Sequence, residues 1–375
     1  MLSAEFRFYS ALSTLNSALR LNGIELSLIR QINALATPLS ANLGIGEPNV
    51  EPDDTFRELA KRATMASWHY SANAGNLSLR KKLASDPNEI CITAGTQEAL
   101  YAIFQAYVDP GDEVLVPNPG FVSYATLAKI CCATPVPYNL EPPDWQIGKL
   151  PITNKTKLIV VNSPSNPLGS VVGEEKLREI ANAGPLVVSD EVYREIWYDA
   201  PPPSMRGMSP NVITVDGLSK SHAMTGLRLG WIHARADLLK PIITAHQYIA
   251  TCVSVFSQAL AEAIFDAKEW NAQWLDGVRQ QFRTQRDAAL YAIEREFEVK
   301  LDPPRGAFYL FVPSPVCDTL TFAKTLATDA AVLVIPGIAF GTNGEGFVRI
   351  SYAASVADVS TGIERIGRWL RSAGR

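Results

Sequence analysis

Short runs of apolar residues recur between positions 89 and 234, and turn residues bound each of them. The runs are rich in Val and Ile, which is typical of strands buried inside a protein. They lie at residues 90–93, 113–116, 157–161, 186–189 and 212–215. The pattern therefore predicts a series of buried strands in this half of the chain.

Segments with helical spacing separate these strands. Apolar residues recur at intervals of three or four over residues 97–108, and a similar pattern covers residues 174–183. Strands that alternate with helices favour a mostly parallel sheet covered by helices on both faces. Such sheets bind ligands beyond the carboxyl ends of their strands, so the loops after the strands are the place to look for chemistry.

Beyond position 240 the helical spacing dominates. It predicts a long helical stretch over residues 256–289 with a break near Lys268, leading to a second domain. Residues 291–375 then have the pattern strand, strand, helix, strand, helix, with apolar stretches at 308–312 and 346–350. We therefore expect an α/β fold with a large domain and a smaller α+β domain.

Composition and charge narrow the possible functions. The chain has 375 residues, 47% of them hydrophobic and 19% charged, which is typical of a globular protein long enough for two domains. Its formal net charge of −4 lacks the excess of positive charge that is typical of nucleic-acid-binding proteins. No apolar run approaches the roughly 20 residues that a membrane-spanning helix needs. The cysteines show no CxxC spacing, so we expect reduced thiols, a cytoplasmic protein and no metal site.

A lysine among small residues follows the strand at residues 212–215. On its own, Lys220 would be interpreted as an exposed surface residue, because most lysines lie at the surface. The surrounding residues 216–231, DGLSKSHAMTGLRLGW, change this interpretation. They resemble the Ser-x-Ser-Lys-x-x-x-Met-x-Gly-x-Arg-x-Gly-Trp segment of the class I/II aminotransferases, the fold-type I enzymes that use pyridoxal 5′-phosphate (PLP). One position departs from the family, since its first serine is Gly217 here.

Three more segments resemble the same family in the same order along the chain. Residues 162–169 (NSPSNPLG) resemble its Asn-Pro-x-Asn-Pro-x-Gly loop, and residues 186–193 (LVVSDEVY) place an aspartate at the end of a strand. Residues 93–99 (TAGTQEA) join a strand to a helix through a glycine. Each could be an ordinary turn or helix cap if taken alone, but together they indicate the family.

Further similarities extend over nearly the whole chain. They comprise residues 43–48 (LGIGEP), Tyr70 ahead of Gly75, residues 117–124 (PNPGFVSY), and residues 336–341 (PGIAFG) ahead of Arg349. The resemblance implies fold type I, with a mostly parallel seven-stranded sheet between helices in the large domain. It divides the chain into an N-terminal segment that joins the small domain (1–45), a large PLP-binding domain (46–285) and a small C-terminal domain (286–375).

The resemblance also implies three catalytic residues. Lys220 would bind the cofactor aldehyde covalently and move the substrate proton. Asp190 would keep the pyridine nitrogen protonated, because a buried carboxylate favours a neighbouring cation. Tyr193 would donate a hydrogen bond to the phenolic oxygen of the cofactor.

The remaining site residues follow from the same resemblance. A helix start is suited to phosphate because its N–H groups are unpaired, and a ring beside the cofactor would stack on it. The expected cofactor-binding residues are Gly95, Thr96, Gln97, Phe121, Asn166, Ser219, Arg228 and, from the other subunit, Tyr70. The expected substrate-binding residues are Gly46, Asn166 and Arg349, with the arginine gripping the α-carboxylate. Taken alone, Phe121 would be an ordinary buried ring and Arg349 an exposed strand charge.

We therefore expect a PLP-dependent aminotransferase that moves an amino group from an L-amino acid to a 2-oxo acid by a ping-pong mechanism. The resemblance implies a homodimer with shared active sites and no nucleic-acid or membrane partner. A carbon–sulfur β-lyase, or another α-carbon reaction, stays open on the same scaffold. So does a ligand-sensing module, although no helix-turn-helix pattern precedes Gly44. No motif encodes the side-chain specificity.

Overall fold

The computed structural model describes residues 19–374, and a seven-stranded sheet is its largest layer. The strands of the described chain are β1 (Ala41–Asn42), β2 (Ile90–Thr93), β3 (Glu113–Asn118), β4 (Thr134–Asn139), β5 (Thr156–Asn162), β6 (Leu186–Asp190), β7 (Val212–Gly217), β8 (Gly230–His233), β9 (Tyr309–Pro313), β10 (Val332–Leu333), β11 (Ile335–Pro336) and β12 (Phe347–Ser351). The large sheet has the order β2-β8-β7-β6-β5-β3-β4. The strands expected from the apolar runs are β2, β3, β5, β6 and β7, and all are confirmed.

Strand direction brings the carboxyl ends of six strands to one edge of this sheet. All neighbouring pairs are parallel except the two made by β8, which runs antiparallel to β2 and to β7. The loops that leave β2, β3, β5, β6 and β7 therefore meet at the same edge. The mostly parallel α/β sheet expected from the sequence is confirmed.

Two strands of the large sheet were not expected from the sequence. β4 carries Pro135 and Pro137, which are rare inside sheets, and it lies at the sheet edge, where it pairs only with β3. β8 has only two apolar side chains, Trp231 and Ile232, between Gly230 and His233, so it lacks the apolar run that identifies β2.

Helices cover both faces of the large sheet. The helices of the described chain are α1 (Leu28–Asn33), α2 (Asp54–Ala63), α3 (Leu77–Leu83), α4 (Thr96–Tyr107), α5 (Ser123–Ile130), α6 (Glu174–Ala181), α7 (Leu218–Ser221), α8 (Ala236–Ala250), α9 (Val255–Asp266), α10 (Lys268–Phe297), α11 (Thr319–Thr325) and α12 (Val356–Ser372). Successive strand residues belong to different apolar clusters. Val187 belongs to the cluster that includes Leu177 of α6, whereas Val188 belongs to the cluster that includes Ile103 of α4 and Ile242 of α8. This alternation explains why the strands are apolar on both sides.

The chain after position 240 corrects one expectation. The helical stretch is broken at Ala267, between α9 and α10, as expected near Lys268. The predicted order of strand, strand, helix, strand, helix after position 291 is wrong: α10 continues to Phe297, and only β9 precedes α11. The two short strands β10 and β11 follow α11, and their two-residue length hides them from pattern reading.

A small antiparallel sheet, β11-β12-β9, forms the core of the C-terminal part. β1 pairs in parallel with β10, through Ala41 opposite Val332 and Asn42 opposite Leu333. The N-terminal segment is thereby fastened to the C-terminal part of the chain. None of the helices within residues 19–374 combines the length and the apolar character that a membrane-spanning helix needs.

Candidate active site

The candidate functional residues lie at or just after the ends of four strands, at one edge of the large sheet. Asp190 is the last residue of β6, Asn162 the last of β5, and Thr93 the last of β2. β7 ends at Gly217 and runs directly into α7, which carries Lys220. Because these strands are mutually parallel, residues far apart in the sequence converge here.

Lys220 lies at the centre of the site. Its amine donates a 2.6 Å hydrogen bond to the carbonyl of Gly46 and lies 5.9 Å from the ring centre of Tyr193. Burial, followed by repulsion from Arg349, lowers the pKa of the Lys220 amine from 10.5 to about 8. About a tenth of this amine is therefore unprotonated at pH 7, far more than for an ordinary lysine, and the unprotonated form acts as nucleophile and base.

Asp190 is a buried carboxylate in the same site. One of its oxygens accepts a 2.7 Å hydrogen bond from the hydroxyl of Tyr124, and the other accepts from the backbone N–H of Val192 at 3.3 Å. Burial raises the pKa of Asp190 from 3.8 to about 6, against the opposing effect of these two hydrogen bonds. The site therefore holds a desolvated carboxylate that a bound cation would stabilise.

Arg349 of β12 is also buried, with 2% of its surface exposed. Its guanidinium donates to the side-chain oxygen of Asn166 at 2.9 Å and to the carbonyl of Gly44. It is packed between two rings, 4.4 Å from the centre of Tyr309 and 4.9 Å from that of Phe340. Its Nε has no hydrogen-bond partner among the described residues. A buried, unpaired donor on a fixed guanidinium is suited to a carboxylate ligand.

A pair of tyrosines closes the site beside Lys220. The hydroxyl groups of Tyr193 and Tyr309 are 2.8 Å apart, and burial raises the pKa of Tyr193 well above its usual value. Gly46 lies against this pair, since a Cβ at position 46 would be 2.1 Å from the Tyr309 hydroxyl oxygen. Only glycine at position 46 lets the backbone approach Tyr309 and Lys220 this closely.

The turn before α4 forms the second half of the site. Gly95 has a φ of +82° and leads into Thr96, the first residue of α4. The Arg228 guanidinium donates to the carbonyls of Thr225 (2.8 Å) and Ala94 (3.4 Å), and a Cβ at Gly95 would lie 2.6 Å from it. The first N–H groups of a helix have no partner within it, so this turn and Arg228 together can hold a phosphate.

Two more predicted cofactor residues lie near this turn. The side-chain oxygen of Gln97 accepts a 3.0 Å hydrogen bond from the hydroxyl of Ser123 at the start of α5. Ser219 is buried and directly precedes Lys220 in α7. Both therefore sit on the first turn of a helix at the sheet edge.

Gly217, the one departure from the family pattern, fits its surroundings closely. A Cβ at this position would lie 2.8 Å from the carbonyl oxygen of Leu229 and 2.9 Å from the Cα of Gly230. Strands β7 and β8 thus pack too closely here for a side chain without a backbone shift.

The structure places the last two predicted residues, Phe121 and Tyr70, beside residues other than Lys220. The Phe121 ring packs edge-to-face on Tyr124, with ring centres 5.6 Å apart, next to Asp190. Tyr70 is 88% exposed and lies beside Trp68 and Phe256 around an open hollow of about 390 Å³. Within a single chain, Tyr70 is therefore not brought into the site.

Sequence reasoning missed three residues that the structure brings into the site. Tyr124 donates to Asp190, Tyr309 contacts both Tyr193 and Arg349, and the Asn162 amide donates to the carbonyl of Asp190 at 3.0 Å. All three lie within segments that the sequence singled out, namely 117–124, 308–312 and 162–169. Their roles could not be read from the sequence, because the residues that they contact lie in other segments of the chain.

The residues at the sheet edge fit PLP. The buried carboxylate of Asp190 suits a protonated ring nitrogen, and the Lys220 amine, with its lowered pKa, suits an aldehyde. The start of α4 with Arg228 suits a phosphate.

Comparison with known proteins agrees with this chemistry. The model of the family "Aminotransferase class I and II" matches residues 41–366. A probable aspartate aminotransferase of Methanocaldococcus jannaschii is 36% identical over 365 residues, covering 91% of this chain and 96% of that protein.

Solved structures show the same relationship. Aspartate aminotransferase from Thermus thermophilus with maleate has a TM-score of 0.88 and 30% identity, covering 95% of this chain and 100% of that one. An aromatic aminotransferase from Pyrococcus horikoshii has a TM-score of 0.83 and 32% identity, covering 92% and 99%. The seven-stranded sheet, the clustered site and these similarities lead to one conclusion: the chain belongs to the class I and II aminotransferases and is a PLP-dependent transaminase.

Proposed function

We propose that this enzyme moves the amino group of an L-amino acid to a 2-oxo acid in a ping-pong reaction in which Lys220 transfers the proton. The observation that carries this proposal is the position of the Lys220 amine: it follows the end of β7 at the same sheet edge as Asp190, donates a 2.6 Å hydrogen bond to the carbonyl of Gly46, and burial lowers its pKa to about 8. An amine of this pKa can bind an aldehyde and can also take up and return a proton near neutral pH.

The other site residues would support Lys220 by stabilising charges on the bound cofactor. When bound, PLP supplies the electron sink that weakens the Cα–H bond of the amino acid. Asp190 would pair with the ring nitrogen, because its desolvated carboxylate gains most from a cationic partner. Tyr193 and Asn166 would donate hydrogen bonds to the phenolic oxygen and fix its charge. Tyr124 holds the Asp190 carboxylate in place through its 2.7 Å hydrogen bond.

Substrate and phosphate are assigned to opposite sides of Lys220. Arg349 would bind the α-carboxylate through the edge that includes its unpaired Nε, and Gly46, whose carbonyl accepts from Lys220, would line the same pocket. Held in this way, the Cα–H bond can point at the Lys220 amine. The phosphate is assigned to the N–H groups and side chains of residues 95–97, with Ser219 and Arg228.

The enzyme is also proposed to act as a homodimer with shared active sites. Trp68 and Tyr70 are 86% and 88% exposed, and Tyr248 on α8 is 84% exposed. Large apolar side chains exposed together are typical of an interface. Packing of a second copy against the hollow beside Tyr70 would bring that hydroxyl to the partner's phosphate.

A mixed dimer tests the sharing. Lys220→Ala removes the amine and Tyr70→Phe removes the phosphate contact, so each variant alone should be impaired. If sites are shared, unfolding and refolding the two variants together should restore activity, because one site then combines an intact Lys220 with an intact Tyr70. Activity no higher than the sum of the separate variants would contradict sharing.

Domain division and location are proposed as well. We divide the chain at 45/46 and 285/286, and pairing of β1 with β10 supports placing the N-terminal segment with the small domain. The second boundary lies inside α10, which then belongs to both parts. The free cysteines, among them the buried Cys91 and Cys131, support a reducing, cytoplasmic location.

A half-reaction tests the proposed activity. Mixing the PLP-loaded enzyme with a good amino donor alone should remove its yellow colour stoichiometrically, and a 2-oxo acid should restore it. Donors should include aspartate and aromatic amino acids, which the relatives' names mention, with 2-oxoglutarate and pyruvate as acceptors. Continuous release of ammonia and pyruvate from a cysteine conjugate, without an oxo acid and without bleaching, would instead identify a β-lyase.

A further inference from the structure

Glu98 places a negative charge in the first turn of α4, next to the proposed phosphate site. Its side chain is only 10% exposed. One carboxylate oxygen reaches back to accept a 3.0 Å hydrogen bond from the backbone N–H of Ala94, in the turn that carries Gly95. A carboxylate here stabilises the helix start, but it also repels a phosphate bound to the same helix start.

The partner of Glu98 is a histidine from another element. His246 of α8 is completely buried, and its Nδ1 is 3.0 Å from the second Glu98 oxygen. Because a carboxylate oxygen only accepts, Nδ1 carries the hydrogen of this bond. The other ring nitrogen, Nε2, has no partner in the part of the chain that the structure describes. Among the described residues, Glu98 is therefore the hydrogen-bond partner of this imidazole.

Among the described residues, this contact is one of two side-chain hydrogen bonds between α4 and α8. At the opposite end of α4, the Tyr107 hydroxyl donates a 2.7 Å hydrogen bond to the carbonyl of Leu238. The two contacts hold the same pair of helices, but only the Glu98–His246 contact touches the Gly95 turn. The chain thus offers a matched control for an effect on helix packing.

We propose that His246 is a positioning residue for the phosphate of the cofactor. By donating to Glu98, it orients that carboxylate toward Ala94 and offsets its charge, so that residues 95–97 can present their N–H groups to the phosphate. The inference rests on the proposed placement of the phosphate at this turn.

Comparing PLP with pyridoxal, which lacks the phosphate, tests the proposal without measuring activity. Both ligands bind to Lys220, and absorbance titration of the cofactor-free protein gives both affinities. His246→Leu should weaken PLP about tenfold or more, since it leaves a buried carboxylate unpaired beside the phosphate, and should change pyridoxal less than twofold. His246→Asn keeps a donor at the position of Nδ1 and should behave like the unmodified protein, so it serves if the leucine variant does not fold.

Glu98→Gln sharpens the test. The amide keeps an acceptor for Ala94 and removes the charge, so the double variant Glu98→Gln/His246→Leu should recover most of the PLP affinity lost by His246→Leu. Tyr107→Phe should leave the ratio of the two affinities unchanged. Equal loss of PLP and pyridoxal in His246→Leu, or no loss of either, would overturn the proposal.

A further variant distinguishes an error in the proposed phosphate site from an error in the role of His246. Arg228→Met should also weaken PLP more than pyridoxal if the phosphate binds at this turn. If Arg228→Met weakens both ligands equally, the placement itself is wrong, and with it the role of His246.

Discussion

Replacing Asp190 by asparagine should stabilise the cofactor-free protein while removing most of its activity. The carboxylate is buried, and its pKa is raised from 3.8 to about 6. A tenfold difference in proton affinity is worth about 1.4 kcal/mol, so ionised Asp190 costs the folded protein about 3 kcal/mol at pH 8. Asparagine has the same shape, and its amide can keep both neighbours: the Tyr124 hydroxyl can accept from it, and Val192 still donates to its oxygen.

The pH dependence follows from the sign of the pKa change. The folded protein holds the Asp190 proton more tightly than the unfolded chain, so the cost is absent below the unfolded pKa of 3.8 and reaches its full value above about 6. The free energy of unfolding of Asp190→Asn should therefore exceed that of the unmodified protein by about 3 kcal/mol at pH 8, about 1.5 at pH 5 and about 0.5 at pH 4.

Urea unfolding of both cofactor-free proteins at equal concentration measures this difference. Asp199→Asn, an exposed aspartate, controls for the loss of one negative charge and should show no such pH-dependent gain. With PLP bound, Asp190→Asn should slow turnover about a thousandfold, because the ring nitrogen loses the anion that keeps it protonated. Destabilisation of Asp190→Asn at pH 8, or the same gain at every pH, would refute the reasoning.

Three further changes have defined outcomes. Borohydride reduction should fix the cofactor to Lys220, as read by peptide mass spectrometry, and Lys220→Ala should take no label; a label on another lysine would contradict the assignment. Arg349→Lys keeps the charge but loses the bidentate contact with the substrate α-carboxylate. The kcat/KM should therefore fall about 10- to 100-fold for all amino donors alike. A loss confined to acidic donors would instead place Arg349 at the side-chain end of the pocket. Gly95→Ala should weaken PLP about tenfold in a titration, since an alanine is strained at φ +82° and its Cβ would meet Arg228, whereas unchanged affinity would mean the turn does not hold the phosphate.

The apolar pattern of the chain predicts most strands of the seven-stranded sheet. Apolar runs bounded by turns identify β2, β3, β5, β6 and β7, because a strand buried on both faces must be apolar throughout. It also placed Asp190 at the end of a strand and Lys220 just after one. These are local properties: they depend on a few consecutive residues, so they can be read from the chain alone.

Contacts between residues that are distant in the sequence are visible only in the tertiary structure. β8 enters the sheet between β2 and β7, and its short sequence carries no sign of that position. Pairing of β1 with β10 joins residues nearly 300 positions apart, and it lies just before Gly46, whose carbonyl accepts a hydrogen bond from Lys220. Such contacts depend on the whole fold, because a strand's neighbours are set by packing of the entire sheet.

The same distinction applies to the site. The motif segments contained Tyr124 and Tyr309, but the partners that give these tyrosines a role, Asp190 for one and Tyr193 for the other, come from other segments. His246 belongs to no motif and was found only because the structure buries it against Glu98. A residue's chemistry depends on burial and on the groups within hydrogen-bond distance, and both arise only when distant segments pack together.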